Sequence, residues 1–333
     1  MNREQGRFIG IGVALVDYVF RRVDQDFPAT RKEVLSYIAD NKVDLVRAGG
    51  PMPNTFTAIS RLSNKRLKLF YCVGSDHRGD LFQRETIPEI GLPQVHPTEP
   101  TGVWVGFSGD RGSLRFGLSY YGAALKVKIT KEELEEESNG IFVTDISSCK
   151  NEDIHSQTDM ILKQLNQDGG IFVLSLGGAR PSSLDLERLS AVISSLKYTP
   201  QIVFSNLEEF KYTAQIGDTE RAIGSLFPNA RLVVVTDREQ GSLIRFEHQL
   251  IKVPALSVDD VKDEVGAGDT YMGTMLGQLF NYPYKSWSYG LVEYAAKTAV
   301  FAASQIVTGS GVRLTVEQSE AVLSYARKIL PTD

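Results

Sequence analysis

Cysteine is nearly absent. The 333 residues hold two, Cys72 and Cys149, each behind an apolar run and in no CxxC or metal-type spacing. That scarcity excludes a disulfide-stapled fold and a thiolate metal centre, and the pair reads as reduced thiols in a reducing compartment. Histidine is almost as scarce. His77, His96, His155 and His248 form no HExxH or similar ligand pattern, so no zinc site is expected. Basic charge is not in excess: 36 Lys and Arg against 41 Asp and Glu leave a net charge of −5. Bulk nucleic-acid binding is therefore not expected. No apolar run approaches the roughly 18 residues of a membrane span. The opening MNREQGRFIG lacks the apolar core of a secretory signal. No internal repeat or low-complexity tract is found either. The expectation is a soluble, cytoplasmic, globular protein.

What is present is enough apolar material for a large core, at 42% of residues, in one large domain or two. The C-terminal half alternates short β-branched runs with amphipathic stretches. GIFVTDI (140–146), GIFVLSL (170–176), QIVFSN (201–206), RLVVVTD (231–237) and SLIRFE (242–247) read as strands. Helical patterns at 153–167, 185–196 and 219–227 lie between most of them. Continuous apolar strands alternating with helices predict a mainly parallel sheet covered on both faces. The N-terminal third differs. FIGIGVALVDYVF and LKLFYCVG read as central strands, whereas TGVWVGFSG and SLRFGLS alternate more and flank GDRG (109–112), which suggests an antiparallel hairpin. The reading is one α/β domain over 1–333 with a small β-rich flap from segments near 14–48 and 94–121. The acidic run KEELEEES reads as a solvated helix face.

The stretch DEVGAGD (263–269) sets a carboxylate at the mouth of a helix-like pattern, TYMGTMLGQLF. Gly266 and Gly268 permit unusual backbone angles and leave the amides unshielded. First-turn amides lack partners inside their helix, and with the helix dipole they form an anion site. The loop is not a Walker A motif, since it lacks Gly-Lys-Ser/Thr. A plain N-cap is one reading of Asp269. The other follows from the combination: an anion hole beside a carboxylate suits phosphoryl transfer to an alcohol, with the amides steadying charge and the acid taking a proton.

With its neighbours, this stretch resembles the signatures of the ribokinase-like (phosphofructokinase-B type) carbohydrate kinases. DEVGAGD is similar to the family's Asp-Thr-x-Gly-Ala-Gly-Asp, with Glu264 in place of threonine. GGPMPN (49–54) resembles its Gly-Gly-x-x-x-Asn, VGSDHRGDLF its Val-Gly-x-Asp-x-x-Gly turn, and GVALVD its first strand. The ordered signatures span about residues 8 to 312. The resemblance implies a three-layer α/β/α domain with a mainly parallel central sheet and a small β-rich lid.

The resemblance further implies a role for each matching residue. Asp269 would be the general base, with Gly266, Ala267 and Gly268 forming the anion hole. Asp17, Gly49, Gly50 and Asn54 would hold acceptor hydroxyls. SNLEEF matches the family's Asn-x-x-Glu, which would place Asn206 and Glu209 around ATP and Mg2+, Glu209 acting on the metal indirectly. Those two residues equally suit helix capping. Thr236 and Gly241 would line the nucleotide, although Arg238 replaces a glycine there and could instead approach a phosphate. Carbonyls near Asp263 and Val265 would form the K+ loop of some relatives. Val300 stands where some relatives carry asparagine, which argues for apolar packing.

The implied acceptor is a small-molecule sugar or nucleoside. The lid region 101–124 resembles the adenosine-kinase-like branch, and Trp104, Phe116, Tyr120 and Tyr121 suit either base stacking or lid and dimer core. Exposed lid strands favour a homodimer. Alternatives kept open are adenosine kinase proper and a ligand-binding relative without catalysis.

Overall fold

The structure is a computed structural model. It describes residues 7–21, 43–108, 114–135, 140–179, 186–196, 198–309 and 311–330, together with residues 33 and 36. The GDRG turn and most of the segment 22–42 lie outside the described residues.

In chain order the strands are β1 (Arg7–Ile11), β2 (Leu15–Arg21), β3 (Leu45–Gly49), β4 (Arg66–Phe70), β5 (Cys72–Gly74), β6 (Gln94–His96), β7 (Gly102–Ser108) and β8 (Leu114–Tyr120). They continue as β9 (Ile141–Asp145), β10 (Ile171–Ser175), β11 (Ile202–Asn206), β12 (Leu232–Thr236), β13 (Ser242–Phe246) and β14 (Gln249–Val253). The helices are α1 (Pro51–Leu62), α2 (His77–Glu85), α3 (Lys131–Glu135), α4 (Glu152–Asp168) and α5 (Leu186–Ser195). Among the described residues these are followed by α6 (Leu207–Ala214), α7 (Thr219–Ser225), α8 (Ala267–Leu279), α9 (Tyr289–Val307) and α10 (Val316–Ile329).

Eight strands form the central sheet in the order β14-β13-β12-β11-β10-β9-β1-β4. It is parallel from β4 to β12, and SLIRFE enters it as the first of two antiparallel edge strands. Period-two alternation sends neighbours to opposite faces. Phe8, Val143 and Val173 join one apolar cluster with Phe56, Met275 and Ala296 of α1, α8 and α9. Ile9, Phe142 and Phe172 join another with Ile161, Leu189, Phe210 and Ile223 of α4 to α7. This is the α/β/α layering expected of strands that read as continuous apolar runs.

A second sheet, β3-β2-β7-β8, stands apart from the first. Strand β2 pairs antiparallel with β3 and parallel with β7, while β7 and β8 form an antiparallel pair, as their alternation suggests.

The order of strands fixes where a ligand fits. From β1 the chain crosses through α1 to β4 on one side, then returns to β9 on the other. Ligands in open parallel sheets bind at such a reversal, beyond the carboxyl ends of the strands.

Candidate active site

Residues singled out in the sequence collect at those carboxyl ends. Asn206 ends β11 and Thr236 ends β12, with α8 opening nearby. Helix α8 begins at Ala267 with Gly266 as its N-cap, at φ 85°, and among the described residues no side chain caps it. Its first internal bond runs from the Thr270 amide to the Gly266 carbonyl, 2.9 Å. Asp269 is therefore the third residue of the helix and not a cap. The two glycines also differ. Gly266 carries the left-handed angle, and a Cβ there would stand 2.7 Å from Val312. Gly268 has an ordinary helical backbone, and none of the described residues lies within 4 Å of the place its Cβ would occupy. Gly266 makes the turn, and Gly268 keeps the space over it clear.

Helix α1 delivers Asn54 to the same place. Its side chain donates to the Asp269 carboxylate, Nδ2 to Oδ2, across 3.0 Å. The contact depends on close helix packing. A Cβ on Gly273 would meet the Thr55 carbonyl oxygen at 2.4 Å and the Ala58 Cβ at 2.7 Å. Ala58 lies one turn beyond Asn54, and Gly273 one turn beyond Asp269, so the tight crossing sets the distance between the two polar groups. Desolvation lifts the half-buried Asp269 carboxyl from 3.8 to about 7. The bond from Asn54 opposes that rise, and the charges of Asp145, Asp17 and Glu209 add to it.

The second sheet brings Asp17 on β2, which is 3% exposed. Arg47 from β3 is also buried, with its Nε 3.9 Å from Asp17 and its Nη2 2.8 Å from Asp263. Gly49 packs flat against Asp17, where a Cβ would stand 2.3 Å from the carboxyl. Gly50 supplies the left-handed turn, φ 97°, into α1. Burial raises Asp17 to about 7, against the pull of Arg47 and Arg313. In register, Arg47, Asp17, Trp104 and Ser119 make one row across this sheet, on one face. Trp104 lies over Gly106 and Gly117, whose Cβ positions its ring would clash with at 2.2 and 2.9 Å. Tyr120 instead packs against the main apolar cluster. Tyr121 joins Val13, Leu15 and Ala124. The Phe116 side chain lies outside the described residues.

The remaining candidates are spread along the rim. Asn206 caps α6 by accepting from the Glu209 amide, 2.8 Å, and buried Glu209 accepts from the Gly178 amide, 2.9 Å. The capping role is thus real, and Glu209 still acts on Asp269 through its charge. Gly241 turns at φ 92°, and a Cβ would strike the Val253 carbonyl oxygen at 2.1 Å. The Thr236 hydroxyl donates to the Ser205 carbonyl, 3.4 Å. Exposed Arg238 takes a positive φ of 42° and pairs with Glu208 at 3.3 Å. Burial raises the Glu264 carboxyl, and Arg238 lowers it, so the two departures from the family's signatures act on each other. Val300 is buried in the apolar cluster, as expected.

Three residues escaped the sequence reading. Asp145, fully buried at the end of β9, accepts from the Ser148 amide at 2.8 Å and hydroxyl at 3.0 Å. Arg47 and Arg313 belong to no motif; a charge inside the apolar strand LVRAG was the one available signal for Arg47. Arg313 donates from Nε to the Asn54 Oδ1, 3.0 Å.

Taken together, the arrangement offers an open helix N-terminus, a carboxyl that exchanges its proton near neutrality and a cluster of buried hydrogen-bonding groups. No curated protein sequence matches the chain significantly. Among solved structures, the adenosine kinase of Sinorhizobium meliloti aligns at a TM-score of 0.78 and 19% identity, covering 97% of this chain and 99% of that one. Schistosoma mansoni adenosine kinase in complex with 2-fluoroadenosine aligns at 0.75 and 18%, over 94% and 98%. Arabidopsis thaliana ribokinase complexed with ribose and ATP aligns at 0.71 and 17%, over 96% and 98%. These likenesses establish the ribokinase-like fold. The family model described as pfkB family carbohydrate kinase matches residues 42–319, and the chain belongs to that family.

Proposed function

We propose that this protein transfers the γ-phosphoryl group of ATP to a hydroxymethyl group of a sugar or nucleoside, with Asp269 as general base. One observation carries the reading: Asp269 stands in the first turn of α8, held by Asn54 at 3.0 Å, beside open space over Gly268. The amides of that turn would hold the transferring group, and charge developing there would be steadied by fixed dipoles. Asp269 would accept the hydroxyl proton, and a carboxyl near 7 is well matched to that task at neutral pH.

Asp17, Gly49, Gly50 and Asn54 would hold the acceptor. Asp17 would accept hydroxyl hydrogen bonds; Gly49 lets its carboxyl lie against backbone, and Gly50 makes the turn that leads to Asn54. Trp104, in the same row as Asp17, offers a flat apolar face that suits a sugar ring or a base. The second sheet would then serve as the lid. Asn206, Glu209, Thr236 and Gly241 would line the nucleotide.

Magnesium fits the charge pattern. Asp145 and Glu209 both act on Asp269 as negative charges, a concentration that a hard divalent cation and its waters relieve. Glu209 would reach the ion through water, and bound Mg2+ would neutralise phosphate charge during transfer.

The rival reading is a binding protein of the same fold without catalysis. ADP release in a coupled assay across sugars and nucleosides separates the two. On the best acceptor, Asp269→Asn should lower kcat by at least roughly a hundredfold while leaving ATP binding intact. Unchanged turnover would remove Asp269 from the chemistry.

A further inference from the structure

An arginine from the far end of the chain reaches Asp269 through a single amide. Arg313 lies just before α10, and its Nε donates to the Asn54 Oδ1 at 3.0 Å. Arginine has only donors, so the oxygen of the Asn54 amide must face it. The amide NH2 is thereby turned toward Asp269, to which it donates at 3.0 Å. Neither contact alone decides which way a buried asparagine points; the two in series do.

The guanidinium is itself clamped. Nη1 donates to the Glu85 carbonyl at 3.0 Å and to the Thr86 hydroxyl at 3.3 Å, at the C-terminus of α2. The Phe82 ring lies 5.6 Å beneath the guanidinium carbon. Nη2 is buried with no hydrogen-bond partner among the described residues. A desolvated guanidinium with an unsatisfied nitrogen costs stability, and an apolar side chain would fill the space at less cost. A residue serving packing alone gives no return on that cost.

We infer that Arg313 is a positioning residue for the reaction: it fixes the Asn54 amide so that Asp269 keeps one oxygen hydrogen-bonded and the other directed to the acceptor hydroxyl. The inference rests on Asp269 being the base. Asn54 is then a bridge as well as an acceptor contact. The charge of Arg313 also opposes the crowd of acids around the base. Asp17 from β2, Asp145 from β9 and Glu209 from α6 all disfavour the ionised form of Asp269, and Asn54 favours it. Burial lowers Arg313 to about 10, with Asp17, Tyr71, Glu85 and Asp269 holding it up, so it stays charged at neutral pH.

The test follows the carboxyl directly and needs no acceptor. Protein labelled with 13C at aspartate side-chain carboxyls is titrated by NMR, and Asp269→Asn assigns the Asp269 signal. Arg313→Met should move that titration upward by about one pH unit or more, since a cation and a properly turned donor are both lost. The acid limb of kcat should shift by the same amount, with turnover recovering at high pH to within about threefold of wild type. Arg313→Lys, which keeps a donor and a charge, should stay within about half a unit of wild type. Should Arg313→Met melt too low for study, Asn54→Ser breaks the same bridge and should shift the signal in the same direction. An unmoved Asp269 titration in a folded variant, with kcat reduced equally at every pH, overturns the inference. If instead Asp269→Asn turns over like wild type, the assignment of the base fails, whatever Arg313 does.

Discussion

At the scale of single residues, the site holds carboxyls whose burial has a measurable cost. Asp17 moves from 3.8 to about 7 on folding, mainly by desolvation. Between those values the native chain binds a proton that the unfolded chain does not. The stabilising contribution is fully present below about 4 and is lost as pH rises through 7. Asp17→Asn keeps the shape and removes the titration, while Arg47 retains Asp263 at 2.8 Å. We expect the variant to melt above wild type at pH 8 and level with it at pH 4, in thermal scans across that range. A gap that does not change with pH would contradict this account. Stability gained by removing a site carboxylate is the usual mark of a residue kept for function. At this scale the sequence was partly legible. Asp17, Asn54 and Asp269 sit inside recognisable strings, so they could be named in advance. Arg47, Asp145 and Arg313 could not. Arg313 meets Asn54 across 259 positions, and no local pattern encodes a pairing of that span.

At the scale of elements, the opening of α8 divides its labour between two glycines that look equivalent in DEVGAGD. The sequence suggests unusual backbone angles for both, yet only Gly266 has one. The reason is position: Gly266 is the last residue before the helix, while Gly268 is already inside it, where the angles are ordinary. Gly266→Val should therefore fail structurally, since a positive φ and a contact with Val312 at 2.7 Å both oppose it. A fall in Tm of roughly 5 °C or more is expected. Gly268→Val meets nothing within 4 Å among the described residues and should melt near wild type, but its side chain would stand in the space that the proposed function gives to phosphate. Its kcat should fall by roughly a hundredfold or more. Melting and turnover measured on both purified variants check the pair; a collapsed melt for Gly268→Val with normal turnover would leave the loop a turn and nothing else. The apolar spacing of Tyr271, Met275 and Leu279 predicts the helix behind the loop, and all three are buried. What that spacing does not convey is Gly273, a backbone contact disguised as a weak helix residue.

At the scale of the whole molecule, alternating strands and helices were enough to read the central parallel sheet, because burial on both faces writes continuous apolar runs into the sequence. Strand order was not legible in that way. Nothing local says that β1 lies between β4 and β9, and that reversal is what gathers the site. The run FIGIGVALVDYVF reads as one central strand, yet only β1 lies in the central sheet; three residues on, β2 joins the second sheet, within the 14–48 segment assigned to the flap. In the proposed function the second sheet brings Asp17 to the acceptor, and Arg47 ties that carboxylate to Asp263, in the loop that leads into α8. One cation is thus shared between the strand and the loop that the proposed function gives to acceptor and phosphate, and on that reading the two ligands would not bind independently. Any change in nucleotide affinity caused by the acceptor must be returned in equal measure to the acceptor by the nucleotide. Calorimetry with a non-hydrolysable ATP analogue and the best acceptor, added in either order, should give one coupling factor of about fivefold or more. In Arg47→Met that factor should fall toward one while each ligand alone still binds; coupling that survives the substitution would mean that the conversation between the two halves travels by another route.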